Sequence, residues 1–269
     1  MLTKKQAALR RKVWAHYRKH GRHDLPWRMT TDPYRILVSE VMLQQTQVSR
    51  VLPKYQAFVK EFPSVEKLAK AKLRNVLVLW QGLGYNRRGK ALRDAAQVVA
   101  ELHGGCMPRD RKALEALPGV GPYTASAVCA FAYNEPVVMI ETNIRTVLLH
   151  ELLSGREQVP DAQLYELVEV LLPRARSRVW YWALMDYGAY LKGQGVRLNS
   201  KSKHYTKQSK FEGSDRQVRG AILQALTCGS MTERDLAQKT KTAPARVRTQ
   251  LHKLQNEGMV RSVHNLWDL

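Results

Sequence analysis

Leu117-Pro118-Gly119-Val120-Gly121 opens the stretch that most restricts how this 269-residue chain can fold. Two glycines separated by one valine predict a tight turn, because glycine takes positive φ freely and, lacking a Cβ, lets a second backbone come close. The apolar, small-residue run behind it predicts a helix over 122–133. Unpaired N–H groups at such a helix start suit an anion. Turns of this kind also serve only as helix caps. The added weight comes from two acids in other informative segments: Glu141, which lies 20 residues beyond Gly121, and Glu40.

Charge says which anion to expect. The chain carries 44 Lys plus Arg against 23 Asp plus Glu, a net +21 with a pI near 10.1. Such an excess predicts a polyanionic partner and steep salt dependence, and a nucleic-acid phosphate held without reading of sequence suits the glycine turn. A merely soluble cationic surface is the plainer alternative. No apolar run approaches the ~18 residues that argue for a membrane span, and the start lacks a typical signal peptide. The acid-free first 23 residues lack serine and run into Leu25-Pro26-Trp27-Arg28, so a first helix with a basic face is expected there. Cys106, Cys129 and Cys228 are too few and too scattered for a disulfide framework or a four-cysteine metal site. Reduced thiols and a cytoplasmic, nucleoid-associated protein are the expectation.

Apolar periodicity predicts helices at 3–20, at 33–60 as two helices divided near 44–49, and from Ser64. Another is expected to end at Gly82 and Gly84. Further helices are expected near 86–103, 110–116, 122–133, 142–153, 160–171 and 176–191. Strand signals are nearly absent, so the main body is all-α. From Lys192 to Arg219 the chain turns basic and poor in large apolar residues. It reads either as a disordered linker or as a segment ordered against phosphate. After Asp215 the helical pattern returns, with Thr232 and Asp235 as a capping pair, and the tail from Gly258 alternates enough for a hairpin. Three short helices and a hairpin look like a winged helix-turn-helix, a module that binds DNA by its third helix or in many cases only mediates protein contacts; here that helix carries Arg246 and Arg248.

Leu117 to Thr124, followed by Glu141-Thr142-Asn143-Ile144-Arg145, resembles the helix-hairpin-helix and acidic-loop signature of the base-excision DNA glycosylases. Leu25-Pro26-Trp27-Arg28, the run Ser39 to Val48, and Trp80-Gln81-Gly82-Leu83-Gly84-Tyr85 narrow the resemblance to the MutY type, which removes adenine mispaired with 8-oxoguanine or guanine. The resemblance covers roughly residues 8–190. It implies a two-lobed all-α glycosylase: a lobe of 1–28 with 139–191, a barrel lobe of 29–138, a basic loop of 192–214, and a winged-helix-like module of 215–269.

Breaking the bond between base and deoxyribose requires an acid for the leaving base and an anion for the cationic sugar, a pair of carboxylates in effect. The resemblance assigns Glu40 to protonating the purine and activating water, and its apolar neighbours Val38, Val41 and Met42 favour a raised pKa. Glu141 stands where the family has aspartate and would steady the sugar. Tyr123 replaces the Schiff-base lysine of bifunctional relatives, which implies a monofunctional enzyme, since a phenol forms no imine. Asn143 and Arg28 match positions that contact the site or the flipped base. Gln45, Thr46 and Tyr85 match gap-filling and opposite-base contacts, as base flipping requires. Gly119 and Gly121 form the DNA-binding turn.

Two departures mark the chain. The family's iron–sulfur cysteines would follow Met185-Asp186-Tyr187-Gly188-Ala189, but those positions hold Lys192, Asn199, Ser202 and Gln208. No cluster is therefore expected, and a monovalent cation at the hairpin turn is the only ion the resemblance allows. Lys201, Lys203, His204 and Lys207 are expected to hold phosphate instead. The family's C-terminal 8-oxoguanine-recognition domain is also absent. A same-fold enzyme for uracil, thymine or a damaged base thus stays open, as does a non-cutting binder of distorted DNA. Double-stranded DNA is the expected partner of a monomer, since no heptad or strand edge suggests pairing.

Overall fold

The computed structural model describes residues 2–201 and 210–269. The expected phosphate contacts Lys203, His204 and Lys207 lie outside the described residues, as do Ser202 and Gln208. In chain order the helices are α1 (Lys4–His20), α2 (Pro33–Leu43), α3 (Val48–Glu61), α4 (Val65–Ala69), α5 (Leu73–Trp80), α6 (Arg87–Leu102), α7 (Arg111–Glu115), α8 (Pro122–Tyr133), α9 (Thr142–Glu151), α10 (Asp161–Leu171), α11 (Ser177–Gly193), α12 (Asp215–Leu226), α13 (Glu233–Thr240) and α14 (Pro244–Asn256). Short 3-10 turns stand at Pro26–Arg28, Arg174–Arg176 and Asn199–Lys201, and strands β1 (Arg261–Val263) and β2 (Leu266–Asp268) close the chain.

Helix starts follow side-chain chemistry. Thr3 and Gln6 form a capping box at α1, Ser64 accepts from the Lys67 amide at α4, Asp110 from Ala113 at α7, and Thr232 with Asp235 forms a second capping box at α13. Each satisfies amides that the first turn of a helix leaves unpaired. α8 differs: its N-cap is Gly121, which offers no side chain to the amides. All residues from Thr124 to Ala132 are buried, as small side chains on every face allow.

The described residues form two compact units. The first draws on Met1–Glu40, Arg109–Ala116 and Val120–Lys207, the second on Val41–Pro108, Leu117–Gly119 and Gln208–Leu269. These boundaries differ from the expected lobes, because α7 and α8 cluster with the chain start and with α11.

In the first unit α11 packs closely on α9 and α1. Gly188 makes the α9 approach possible: a Cβ there would stand 2.3 Å from the Asn143 carbonyl oxygen. In the second unit Phe58 meets the Trp80 ring edge-on at 6.0 Å. The C-terminal helices share one core with α5, in which Leu73 and Leu77 join Ile222, Leu226, Val247 and Leu251. Arg74 adds hydrogen bonds to the Leu226 and Thr227 carbonyls (2.7 and 3.1 Å) and pairs with Asp268. The strands form an antiparallel hairpin whose loop residues, His264 and Asn265, both have positive φ (49° and 62°), as a tight hairpin turn demands. The C-terminal module is therefore built into the second unit through α5.

Candidate active site

α2 brings Glu40 into a dry environment. The residue is 6% exposed, and Val38, Val41 and Met42 around it in sequence are buried. Burial drives its pKa up to about 7; Glu141 pushes the same way, while the Tyr123 hydrogen bond and the Arg28 charge pull it down. Tyr123, in the first turn of α8, donates its hydroxyl to Glu40 Oε2 at 3.2 Å. Its own pKa is pushed well above the ordinary phenol value by burial and by both glutamates, so the hydroxyl keeps its proton. A carboxyl near pKa 7 is half protonated at neutral pH and can both give and take a proton.

Glu141 is the N-cap of α9. Its Oε1 accepts from the Asn143 and Ile144 amides at 2.7 and 2.8 Å, and its Oε2 from the Asn143 side-chain amide (3.2 Å) and the Thr142 hydroxyl (3.1 Å). The carboxylate thus folds back onto its own helix start, and the Asn143 side-chain amide orients it. The Glu141 charge acts on both Glu40 and Tyr123 within the first unit.

Arg28 makes a buried pair with Asp186, its Nη1 and Nη2 donating to Oδ2 and Oδ1 at 2.8 and 2.9 Å. It also donates to the Arg22 carbonyl (3.0 Å) and lies over the Trp182 ring. Arg22 joins the carboxylate through its amide at 2.9 Å and Nε at 2.7 Å. Burial acts to raise the Asp186 pKa, but the two guanidiniums outweigh it and hold the group below the ordinary carboxylate range. Asp186 and Gly188, which the sequence offered only as landmarks, fix Arg28 and seat Asn143.

The second unit holds the expected duplex contacts. Gln45 and Tyr85 both have positive φ (56° and 48°) and are exposed. For residues with side chains that conformation is strained, and it persists only where neighbours enforce it. Arg88 supplies the enforcement. It donates to the carbonyls of Val41 (2.6 Å), Met42 (3.2 Å), Gln44 (2.6 Å), Leu83 (3.2 Å) and Gly84 (3.2 Å) and to the Thr46 hydroxyl (3.3 Å). Burial lowers its pKa to about 10. Sequence reasoning missed Arg88, for nothing local distinguishes it from Arg87.

The glycine turn behaves less symmetrically than expected. Gly119 has φ +73° and lies so close to Ala91 that a Cβ would stand 2.6 Å from the alanine Cβ. Gly121 instead has φ −92° and ψ 176°, extended backbone open to any residue, and a Cβ there would meet nothing within 4 Å. Neither positive φ nor a close approach within the chain therefore requires glycine at 121. Lys201 pairs with Glu157 at 2.6 Å. On α14, Arg246 pairs with Asp215 (3.0 Å) and Arg248 with Glu233 (2.8 Å).

The family's iron–sulfur cluster does not fit these residues. Lys192 offers an ammonium and Asn199 a carboxamide, the latter accepting from the Thr146 hydroxyl at 3.2 Å; neither replaces a thiolate. Cys106 and Cys228 are exposed and Cys129 is buried, all free. Among the described residues no three His, Cys, Asp or Glu side chains gather where they could hold a metal ion.

The first unit thus holds a buried glutamic acid bonded to the Tyr123 hydroxyl and a second carboxylate at the start of α9. Residues 38–174 match the HhH-GPD superfamily of base excision DNA repair proteins, and the chain belongs to that family. Its sequence is similar to the adenine DNA glycosylase of Mycolicibacterium smegmatis, 35% identical over 77% of this chain and 76% of that one. It is also similar to that of Mycobacterium tuberculosis, 34% identical over 85% and 83%. The human adenine DNA glycosylase is 37% identical over 62% of this chain but only 33% of its own length. A thermostable thymine-DNA glycosylase superposes with a TM-score of 0.61 at 31% identity, covering 69% of this chain and 87% of that one. An endonuclease III bound to DNA, at 19% identity and TM-score 0.61, shares the fold.

Proposed function

We propose that the protein is a monofunctional adenine DNA glycosylase of base excision repair, acting on adenine opposite 8-oxoguanine or guanine in duplex DNA. The observation that carries this reading is Glu40: a buried carboxyl with a pKa of about 7, hydrogen-bonded by a phenol that keeps its proton. Relatives named adenine DNA glycosylase, matching most of the chain, support the base assignment.

In this mechanism the flipped adenine takes the Glu40 proton at N7. The C1′–N9 bond then breaks with its electron pair leaving on the purine. Glu141, steadied by the α9 amides and Asn143, faces the cationic sugar with negative charge. Water adds to C1′ as the Glu40 carboxylate accepts its proton, which restores the acid. Tyr123 orients the Glu40 carboxyl and, having no amine, forms no imine with the sugar, so the strand is left uncut. Arg28, locked by Asp186, borders the base pocket. The uncapped start of α8 at Gly121, with Gly119 shaping the turn, receives a backbone phosphate. Tyr85, Gln45 and Thr46 enter the duplex where the adenine has left it.

Single-turnover cleavage of labelled duplexes carrying A·8-oxoG, A·G, T·G and U·G, with and without alkali, tests this reading. Alkali-dependent breakage at adenine is expected, and Glu40→Gln should abolish it without loss of DNA binding. Cutting confined to a pyrimidine, or none at all, would refute it.

A further inference from the structure

The basic side chains of α1 divide between two faces by type. Lys5 and Lys12 turn toward the end of α9, the first donating to the Leu152 carbonyl at 3.3 Å and the second pairing with Glu151 at 2.7 Å. Arg10, Arg11 and Arg18 stand three or four residues from Trp14 and share its face of the helix. Two open hollows of about 470 and about 530 Å³ lie on that face: Trp14 and Arg18 line both, Arg176 and His23 line the smaller, and Arg10 and Arg11 the larger. The Trp14 ring is fixed against the fully buried Trp180, with centroids 5.4 Å apart. Residues 1–23 and 170–185, the segments that form the hollows, hold no acid. Among the described residues Arg10, Arg11, Arg18 and Arg176 have no ion pair. Four guanidiniums gathered without an acid raise the local potential and draw a polyanion. All of these residues belong to the first unit, and none of Glu40, Tyr123, Glu141 and Asn143 lines either hollow.

We propose that this face of α1 is a second nucleic-acid site, which holds an unpaired strand with one base stacked on Trp14 and the neighbouring phosphates on Arg10, Arg11, Arg18 and Arg176. An aromatic ring set among cations is the combination that single strands use: the ring takes a base face, the cations follow the backbone, and no sequence is read. A duplex keeps its base faces stacked and would engage the arginines alone. An acidic peptide would likewise pair with the arginines and leave the indole idle. Arginine suits the phosphates better than lysine does, since its planar fork donates two parallel hydrogen bonds and is more weakly hydrated. The site does not depend on which base Glu40 excises.

The test uses the full-length protein and a short fluorescein-labelled oligothymidylate, with Kd read by anisotropy in the presence of a saturating unlabelled duplex. The oligothymidylate should still bind, so that duplex and single strand are held at once. Trp14→Leu should weaken it about tenfold, the loss of one stacked base. Arg18→Ala combined with Arg176→Ala, both at exposed positions that folding does not need, should weaken it by a similar factor. The same pair should lower the slope of log Kd against log salt by about 1.4, the share of two phosphate contacts. Lys19→Ala removes the same charge outside the hollows and should change Kd by less than about twofold. An abasic oligomer of equal length should bind the wild type about tenfold more weakly, which tests stacking without any substitution. Displacement of the oligothymidylate by the duplex, equal binding of the abasic oligomer, or tighter binding of a polyglutamate peptide of equal charge overturns the proposal. An unchanged Kd in the two-arginine variant, or an equal loss from Lys19→Ala, overturns it as well.

Discussion

The surroundings of Glu40 and the Tyr85 loop use an arginine in different ways. In the first unit, Arg28 is buried and bound to Asp186 by two hydrogen bonds, and burial of Glu40 outweighs the Arg28 charge to drive the glutamate pKa up to about 7. In the second, Arg88 binds no carboxylate in any described contact but gathers five carbonyls and one hydroxyl, and so holds Gln45 and Tyr85 exposed on strained backbone. Chemistry on a base needs low polarity and a shifted pKa. Insertion into a duplex needs exposed side chains that do not relax when their partner is absent.

The comparison breaks hardest at Glu40. Glu40→Gln should reduce single-turnover excision by at least about a thousandfold, as loss of a general acid with no substitute does, while Kd for a mispaired duplex stays within about twofold. The same substitution sharpens the electrostatic argument through stability. The folded-state pKa is raised, so the wild type is fully stable below the unfolded value and loses stability as pH rises from about 4.5 to about 7. Thermal unfolding should therefore show Glu40→Gln gaining on wild type across that window, by up to about 3 kcal/mol, with no gain at pH 4.5.

Asp186→Ala comes next. It strands the Arg28 charge in the interior and should cost about 3–5 kcal/mol by denaturant unfolding. In the second unit, Arg88→Met should cost less, about 2 kcal/mol, because its carbonyl partners stand nearer to water. Its larger effect should be on discrimination between mispaired and paired duplex, since Gln45 and Tyr85 are then free to relax. If Arg88→Met leaves that discrimination intact, the two units do not differ in the way described. Gly188→Ala is the smallest structural change: its Cβ would press the Asn143 carbonyl, and about 1–3 kcal/mol of overpacking should accompany slowed excision.

What the sequence disclosed follows this division. The start of α13 was legible because a cap acts over three residues, as Thr232 with Asp235 shows, whereas the Thr3–Gln6 capping box of α1 emerged only in the structure. Glu40 and its raised pKa were legible from apolar neighbours along α2. Partners far apart in sequence were not. Asp186 lies 158 residues from Arg28, and Arg216 lies 131 from Tyr85. Nor did composition reveal that Arg246 and Arg248 of α14 pair with Asp215 and Glu233 while Arg216 of α12 donates to the Tyr85 hydroxyl. Of the two glycines read as free to take positive φ, Gly119 does so and Gly121 does not. Periodicity found the fold, whereas the long-range polar contacts that tune the site left no local trace.

The most direct test of the central claim is the pH dependence of single-turnover adenine excision from an A·8-oxoG duplex by the wild-type protein. If Glu40 delivers the proton, the rate should hold below pH about 7 and fall by about tenfold per unit well above it, with no such limb in the residual rate of Glu40→Gln. A wild-type rate unchanged between pH 6 and pH 9 would contradict the assignment of Glu40 as the acid.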